Sequence, residues 1–147
     1  PDFIPDRFER GTPTTIGIAG LLEGVRFVRE TGIAAIRRHE DELAAGICRG
    51  LSTIDGVRLF AGPEGRRLST VSFSCDTLSP SELGLRLDEE FDILCRVGLH
   101  CAPAAHTTIG SFPEGTVRLS AGFFTTQEDI ESAVKAIRTL AKNGESS

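Results

Sequence analysis

The sequence predicts an α+β fold, in which a small antiparallel sheet is covered by helices on one face. Its apolar periodicity gives the order helix, helix, strand, strand, helix, strand, short helix, strand, helix. The strands do not alternate regularly with crossover helices, as they would in a parallel sheet. The 147 residues also suffice for one domain with its own core, because chains of this size bury about two thirds of their unfolded surface. We therefore expect 1–147 to form one small domain.

The N-terminal third predicts an arm followed by two helices. Residues 1–13 contain three prolines and no apolar periodicity, which is typical of an extended arm. From Thr14, small and apolar residues recur at helical spacing until Gly32, a favoured helix-ending residue. A second amphipathic helix follows at once, and Asp55 and Gly56 break it.

The middle of the chain predicts a strand pair and a capped helix. Residues 57–60 and 68–74 are short β-type segments, and the second alternates apolar and polar side chains as a half-buried strand does. They are joined by 61–67, so we expect an antiparallel pair. Residues 79–82 form a capping box with proline at the first helical position, which predicts a helix to about Glu90.

The C-terminal third predicts two further strands and two helices. Residues 93–97 are expected to form one strand and 116–120 the other. Pro103 marks the start of a short helix between them. The last helix is amphipathic, and Thr126 and Asp129 lie at the positions of its N-terminal cap.

Composition argues against several classes of partner. The net charge is −5 and the basic residues are scattered, so we expect no nucleic acid partner. No apolar stretch approaches the length of about 20 residues that a membrane span needs, and no signal-peptide pattern opens the chain. We expect a soluble, cytoplasmic protein with four reduced cysteines. Because the chain lacks Met, we also expect it to be part of something longer.

The densest chemistry lies in residues 95–106, which contain a thiol, two imidazoles and a guanidinium just before the predicted short helix. Cys101 is the candidate nucleophile, because a neighbouring Arg, a protonated His or a helix N-terminus stabilises a thiolate. The alternative is a small buried apolar residue. His100 is a candidate acid, base or thiolate partner, since an imidazole titrates near neutral pH.

The other cysteines and histidines have structural interpretations. Cys48, Cys75 and Cys95 are expected to pack in the core, His106 to be structural and His39 to be solvated on a charged helix face. One Cys and two His without a fourth converging ligand do not indicate a metal site, and we predict none.

Four segments, in this order, resemble the C-terminal part of the class V aminotransferase-like PLP enzymes, and specifically the cysteine desulfurases. They read RFERGTP at 7–13, RVGLHCAP at 96–103, VRLS at 117–120 and FTTQED at 124–129. The resemblance implies the small C-terminal domain of a fold-type I PLP enzyme. It implies a parent enzyme that takes sulfur from L-cysteine and releases alanine.

The resemblance also implies roles for individual residues. Cys101 would attack the sulfur of PLP-bound cysteine and carry it as a persulfide, to be passed on to a sulfur-acceptor protein. Arg118 would bind the substrate carboxylate through a bidentate fork, with Arg96 nearby; without the resemblance, Arg118 would be an exposed edge charge. Gly11 and Thr12, otherwise only a turn and a helix start, would reach across a homodimer to the cofactor phosphate.

The chain also departs from that family. The family holds PLP through a lysine in a larger upstream domain, whereas the two lysines here, Lys135 and Lys142, lie on the predicted last helix. The isolated chain is therefore expected to be inactive. Thr14 replaces the family's Asn, and Phe124 and Thr125 replace its Tyr-Asn. These changes leave open a related class V aminotransferase or a selenocysteine lyase, and for the isolated chain an inactive dimerisation or docking module.

Overall fold

The predicted order of elements is confirmed in the structure, a computed structural model that describes residues 2–8, 11–60, 62 and 68–144. The elements are α1 (Thr15–Thr31), α2 (Ile33–Leu51), β1 (Val57–Leu59), β2 (Thr70–Cys75), α3 (Pro80–Phe91), β3 (Arg96–Gly98), α4 (Pro103–Ile109), β4 (Thr116–Ser120) and α5 (Gln127–Gly144).

The arm is not extended throughout, because a short 3₁₀ helix occupies Asp6–Phe8. There the amide of Phe8 donates to the carbonyl of Pro5. Two of the arm's motif residues, Glu9 and Arg10, lie outside the described residues. So does the predicted connection at 61–67, except for Gly62.

The chain divides into two compact units, Pro1–Ile36 and Arg37–Ser147. In the first unit, α1 ends as predicted at Gly32, which has a φ of 84° and donates its amide to the carbonyl of Val28. None of the residues of α1 is buried, and Ile16 is 88% exposed. That 1–147 form one domain stays a prediction.

The sheet of the second unit is antiparallel throughout, with strand order β1-β2-β4-β3. One face is apolar and joins a core built with α2, α3 and α5. Along β2 the side chains of Val71, Phe73 and Cys75 are buried on this face, whereas Ser72 and Ser74 are not. The predicted α+β class, with helices against an antiparallel sheet, is confirmed.

Both predicted helix caps are formed. The hydroxyl of Ser79 accepts from the amide of Glu82 at 3.2 Å. At α5, the Thr126 hydroxyl accepts from the amide of Asp129 while the Asp129 carboxylate accepts from the amide of Thr126. Hydrogen bonding from Thr126 to the Asp129 carboxylate, first from its backbone amide and then from its side chain, lowers the pKa of Asp129.

The strand predicted at 93–97 is wrong in its bounds. Asp92 ends α3 in the left-handed conformation with a φ of 58°, and the amide of Ile93 donates back to the carbonyl of Leu87. The chain becomes a strand only at Arg96, so Cys95 precedes β3 and is half-buried against the core. The end of α3 therefore fixes which residues of this segment reach the sheet.

His39 is not a solvated side chain, which corrects the prediction. Its Nε2 atom lies 3.1 Å from the carbonyl oxygen of Thr125, and its ring meets Phe123 edge-on at 5.6 Å. The long-range contact partners of a helix residue are not visible in helical periodicity.

Candidate active site

The sheet face away from the helix layer carries two arginines side by side. The strand register places Ser72, Arg118 and Arg96 directly opposite one another on β2, β4 and β3. Because β4 is an inner strand, Arg118 is not the edge charge that its strand position alone suggested. Like charges directly opposite in a sheet are destabilising. The arrangement therefore costs stability unless something negative joins it.

No carboxylate compensates these charges in the part of the chain that the structure describes. Its ion pairs join Arg26 to Glu23, Arg37 to Asp41 and Arg86 to Glu90, all within helices.

The side-chain Nε of Arg118 is itself buried and has no hydrogen-bond partner among the described residues. A buried donor without an acceptor is costly. A guanidinium with unfilled donors is suited to bidentate binding of a carboxylate. The arginine pair therefore has the charge and the donors to bind an anionic substrate group.

A strained turn leads from β3 to α4 beside this pair. Gly98 has a φ of 93°, and the two non-glycine residues His100 and Cys101 have φ values of 51° and 61°. Consecutive left-handed residues other than glycine are unusual, and such strain concentrates at functional sites. The amide of Ala102 closes the turn on the carbonyl of Leu99 at 2.8 Å.

Gly115 allows the chain to pass close to this turn. It has a φ of 84°, and a Cβ atom there would lie 2.2 Å from the backbone of Gly98. Any other residue would push the start of β4 away from the end of β3. The glycine thus keeps the turn against the strand that carries Arg118.

Cys101 is exposed and lies next to a cation. The Nη2 of Arg96 donates to its Sγ at 3.7 Å. Its interpretation as a small buried residue is therefore wrong. An exposed thiol beside a guanidinium is accessible to a reaction partner and has a positive charge next to its sulfur.

The other three thiols lie in different surroundings. Cys48 and Cys75 are buried, as predicted for core residues. At half-buried Cys95, burial is the main cause of a raised pKa and the negative charge of Asp88 adds to it. Cys95 therefore stays protonated at neutral pH, and exposure together with a neighbouring cation sets Cys101 apart.

His100 turns back towards the sheet. Its Nε2 lies 3.1 Å from the Oγ1 of Thr116, and its Nδ1 is buried without a partner among the described residues. Burial is the main cause that lowers its pKa from the ordinary 6.5, followed by the charges of Arg118, His106 and Arg96, while Thr116 opposes the shift. His100 is therefore neutral at pH 7, and Arg96 rather than an imidazolium supplies the positive charge near Cys101.

His106 is structural, as predicted. It is 4% exposed, and its Nδ1 lies 2.7 Å from the Oγ of Ser111. Its ring centre is 5.6 Å from that of His100. Across the described ranges of the chain, no three His, Cys, Asp or Glu side chains are grouped so that they could hold a metal ion.

The remaining predicted site residues belong to other segments of the chain. Gly11, with a φ of 90°, and Thr12 are exposed in the first unit, and their role in phosphate binding stays a prediction. Lys135 and Lys142 are exposed on α5. These two lysines therefore do not fit the role of the lysine that anchors PLP covalently.

Three residues near the predicted site were not predicted: Thr116, Ser111 and Ser72. Thr116 could have been predicted from the sequence, because a residue two positions before Arg118 on a strand lies on the same face of the sheet. Ser72 follows only from the register of β2 against β4, and Ser111 only from the path of the loop after α4.

Comparison with known proteins supports an enzyme family. The model of the aminotransferase class-V family matches residues 2–132. A probable cysteine desulfurase 2 of Mycobacterium leprae is 36% identical over 135 residues, which are 90% of this chain and 31% of the relative. A probable cysteine desulfurase of Staphylococcus epidermidis is 30% identical over 135 residues, 92% of this chain and 32% of the relative.

Solved structures agree with these relatives. The apo structure of a cysteine desulfurase from Thermococcus onnurineus has a TM-score of 0.82 and 32% identity, covering 95% of this chain and 34% of that one. A cysteine desulfurase from Escherichia coli has a TM-score of 0.80 and 25% identity, covering 95% and 33%. The chain thus spans about a third of the length of these proteins.

Within the described residues, no helix is both long and apolar enough to span a bilayer.

The family match extends from the N-terminal arm into α5 and includes the arginine pair and the strained turn. Enzymes of this family depend on PLP. On this evidence the chain is a member of the aminotransferase class-V family.

Proposed function

We propose that this chain is the substrate-binding and sulfur-accepting part of a PLP-dependent cysteine desulfurase. One observation carries the proposal: the exposed thiol of Cys101 lies 3.7 Å from the guanidinium of Arg96, which stands directly opposite Arg118. A nucleophilic thiol and a carboxylate-binding pair in one place are what sulfur transfer from an amino acid requires.

In this proposal the arginine pair holds the carboxylate of L-cysteine. Arg118 has the unfilled buried donor, and Arg96 lies opposite Arg118 in the sheet and contacts Cys101. The thiolate of Cys101 then attacks the sulfur of the substrate. An S–S bond forms as the substrate C–S bond breaks, and the electron pair remains with the carbon, which takes up a proton to give alanine.

His100 is the acid–base group of the proposed site. Being neutral at pH 7, its ring can accept a proton and return it later. PLP supplies the electron sink for such chemistry when it is bound. In our proposal its lysine lies outside this chain, and Gly11 and Thr12 contact its phosphate.

The test is Cys101→Ala in the full-length protein. We expect release of alanine from L-cysteine to fall by at least about 100-fold, because removing a covalent nucleophile typically costs several kcal/mol of barrier. No protein persulfide should form. Cys95→Ala is the matched control, since that thiol is half-buried and protonated, and it should keep both properties. Normal alanine release with a persulfide still forming on Cys101→Ala would refute the proposal.

The same variant separates the related activities. A class V aminotransferase or a selenocysteine lyase needs the arginine pair but does not depend on a protein thiol that attacks sulfur. Such an enzyme would keep its turnover in Cys101→Ala and lose it in Arg118→Ala. Measuring both variants with L-cysteine, L-selenocysteine and a keto acid acceptor distinguishes the three activities.

We also propose a homodimer that uses α1. This helix exposes apolar side chains along its length and buries none of its residues, and Ile16, Ile18, Leu21, Leu22 and Val25 are among those exposed. Exposed apolar surface of this kind marks interaction sites. If the isolated chain is only a docking module, this apolar face of α1 would be its binding surface. Leu21→Glu should convert a dimer to a monomer in sedimentation; a wild-type monomer would refute this part.

The proposed partners follow from the exposed thiol. A persulfide on Cys101 would be open to a sulfur-acceptor protein, because the side chain is exposed. The four cysteines are free thiols, which suits the cytoplasmic location that we propose. The persulfide form can be incubated with a thiol acceptor. Measured transfer of sulfur to the acceptor would test whether the persulfide on Cys101 is accessible.

A further inference from the structure

We propose that Thr116 is a positioning residue which, through His100, holds the turn that places Cys101 against Arg96. This inference rests on the proposed function of Cys101 as the sulfur acceptor. Thr116 itself would touch neither substrate nor cofactor.

The turn needs such a support because its backbone is unfavourable. His100 and Cys101 are consecutive left-handed residues and neither is glycine. This conformation brings the Cβ atom close to the following carbonyl oxygen, so it persists only where the surroundings fix it. The backbone bond from Ala102 to Leu99 closes the turn but does not hold it to the sheet.

The side chain of His100 provides the link to the sheet. Its Nε2 is 3.1 Å from the hydroxyl of Thr116, the first residue of β4, which is 0% exposed. Thr116 lies opposite Gly98 on β3 and two residues before Arg118, so it is fixed by the strands that carry both arginines. The hydroxyl therefore ties the turn to the arginine pair.

The second ring in this region limits where His100 can go. His106 is almost fully buried, held through Nδ1 by Ser111, and packs 5.6 Å from the His100 ring. With His100 directed inward between Thr116 and His106, the next side chain, Cys101, is exposed and reaches Arg96. Loss of the Thr116 hydroxyl would release the ring and, with it, the position of the thiol.

Two threonine substitutions in the 147-residue chain separate positioning from packing. Thr116→Val keeps the side-chain volume and removes the hydroxyl, whereas Thr116→Ser keeps the hydroxyl. The matched control is Thr77→Val, since the Thr77 hydroxyl donates to the Ala141 carbonyl at 3.1 Å in another part of the unit. Nitrogen-15 NMR reports the tautomer of His100, and mass spectrometry reports the rate at which iodoacetamide alkylates Cys101 at pH 7.

We expect one neutral tautomer of His100 in the wild type and in Thr116→Ser, and an averaged mixture in Thr116→Val. Alkylation of Cys101 should slow about fivefold in Thr116→Val alone, a factor that corresponds to the net effect of one hydrogen bond. Thr77→Val should lower the thermal midpoint without changing either readout.

The outcomes distinguish this inference from the proposed function. A single tautomer and a wild-type alkylation rate in Thr116→Val would overturn the positioning role, even if that variant were less stable. A wild-type Cys101 no more reactive than a thiol in an unfolded peptide would count against the proposed function, while the tautomer measurement would still decide the role of Thr116.

Discussion

The two faces of the sheet differ in what they contribute. On β4, Val117 and Leu119 point into the helix layer and are buried among apolar side chains. The alternate residues Thr116 and Arg118 face the other way, towards a second arginine and a strained turn. The first face consists of buried apolar side chains, whereas the second holds two opposed like charges, a buried donor without an acceptor and left-handed residues other than glycine. Such features concentrate where a protein keeps a functional site at the cost of stability.

The largest expected effect that sharpens this comparison is on the helix-covered face. Phe73→Ala should destabilise the domain by about 3–5 kcal/mol, because a large, fully buried side chain leaves a cavity. The neighbouring Ser72→Ala, on the opposite face, should change stability by less than about 0.5 kcal/mol. Urea unfolding followed by circular dichroism measures both. Equal losses would show that the two faces are not energetically distinct.

The next effect concerns the close approach between β4 and the turn. Gly115→Ala should cost about 2 kcal/mol, because the new Cβ atom would overlap the backbone of Gly98 at a positive φ. The control is Gly122→Ala, where a Cβ atom would have nothing within 4 Å. If both variants unfolded at the same urea concentration, the contact would not support the site.

A smaller effect of opposite sign is expected at the arginine pair. Arg96→Gln removes one of two like charges that lie directly opposite, so it should stabilise the domain by about 0.5 kcal/mol. The same change should slow alkylation of Cys101, because the thiol loses its cationic neighbour.

Arg58→Gln on β1 is the control for the arginine pair. Arg58 stacks on the Phe60 ring at 4.9 Å, so this variant should lose a little stability without affecting the thiol. If Arg96→Gln were instead destabilised and alkylated at an unchanged rate, the arginine pair would neither cost stability nor affect the thiol. The two faces would then not differ in the way described.

The helix-covered face was largely predictable from the sequence. Alternation in β2 and the caps at Ser79 and Thr126 depend on residues close together in the chain, which is why those elements and their order are confirmed. The start of β3 was missed because a left-handed Asp92, not a glycine, ends α3.

The family resemblance implied that Arg96 lies near Arg118, but the residue pattern alone did not predict this pairing, nor the bond between His100 and Thr116. The register that places Arg96 beside Arg118 joins distant segments, and so does the bond between His100 and Thr116. The neutral state of His100 follows from burial and nearby arginines, which only the folded chain brings together. Local patterns thus identify candidate groups, whereas their protonation and contacts need tertiary structure.

The smallest expected effect, a dependence of stability on pH, follows from that neutral histidine. Its pKa in the folded chain is below the ordinary 6.5, so the unfolded chain binds the proton at higher pH than the native one. Stability should therefore be fully present above about pH 6.5 and decline as pH falls towards the lowered pKa of the folded state. His100→Gln removes this ionisation. The unfolding free energy of the wild type minus that of the variant should therefore fall on acidification from pH 7.5 to 5. A difference that stayed constant across this range would mean that the folded chain does not disfavour the protonated form of His100.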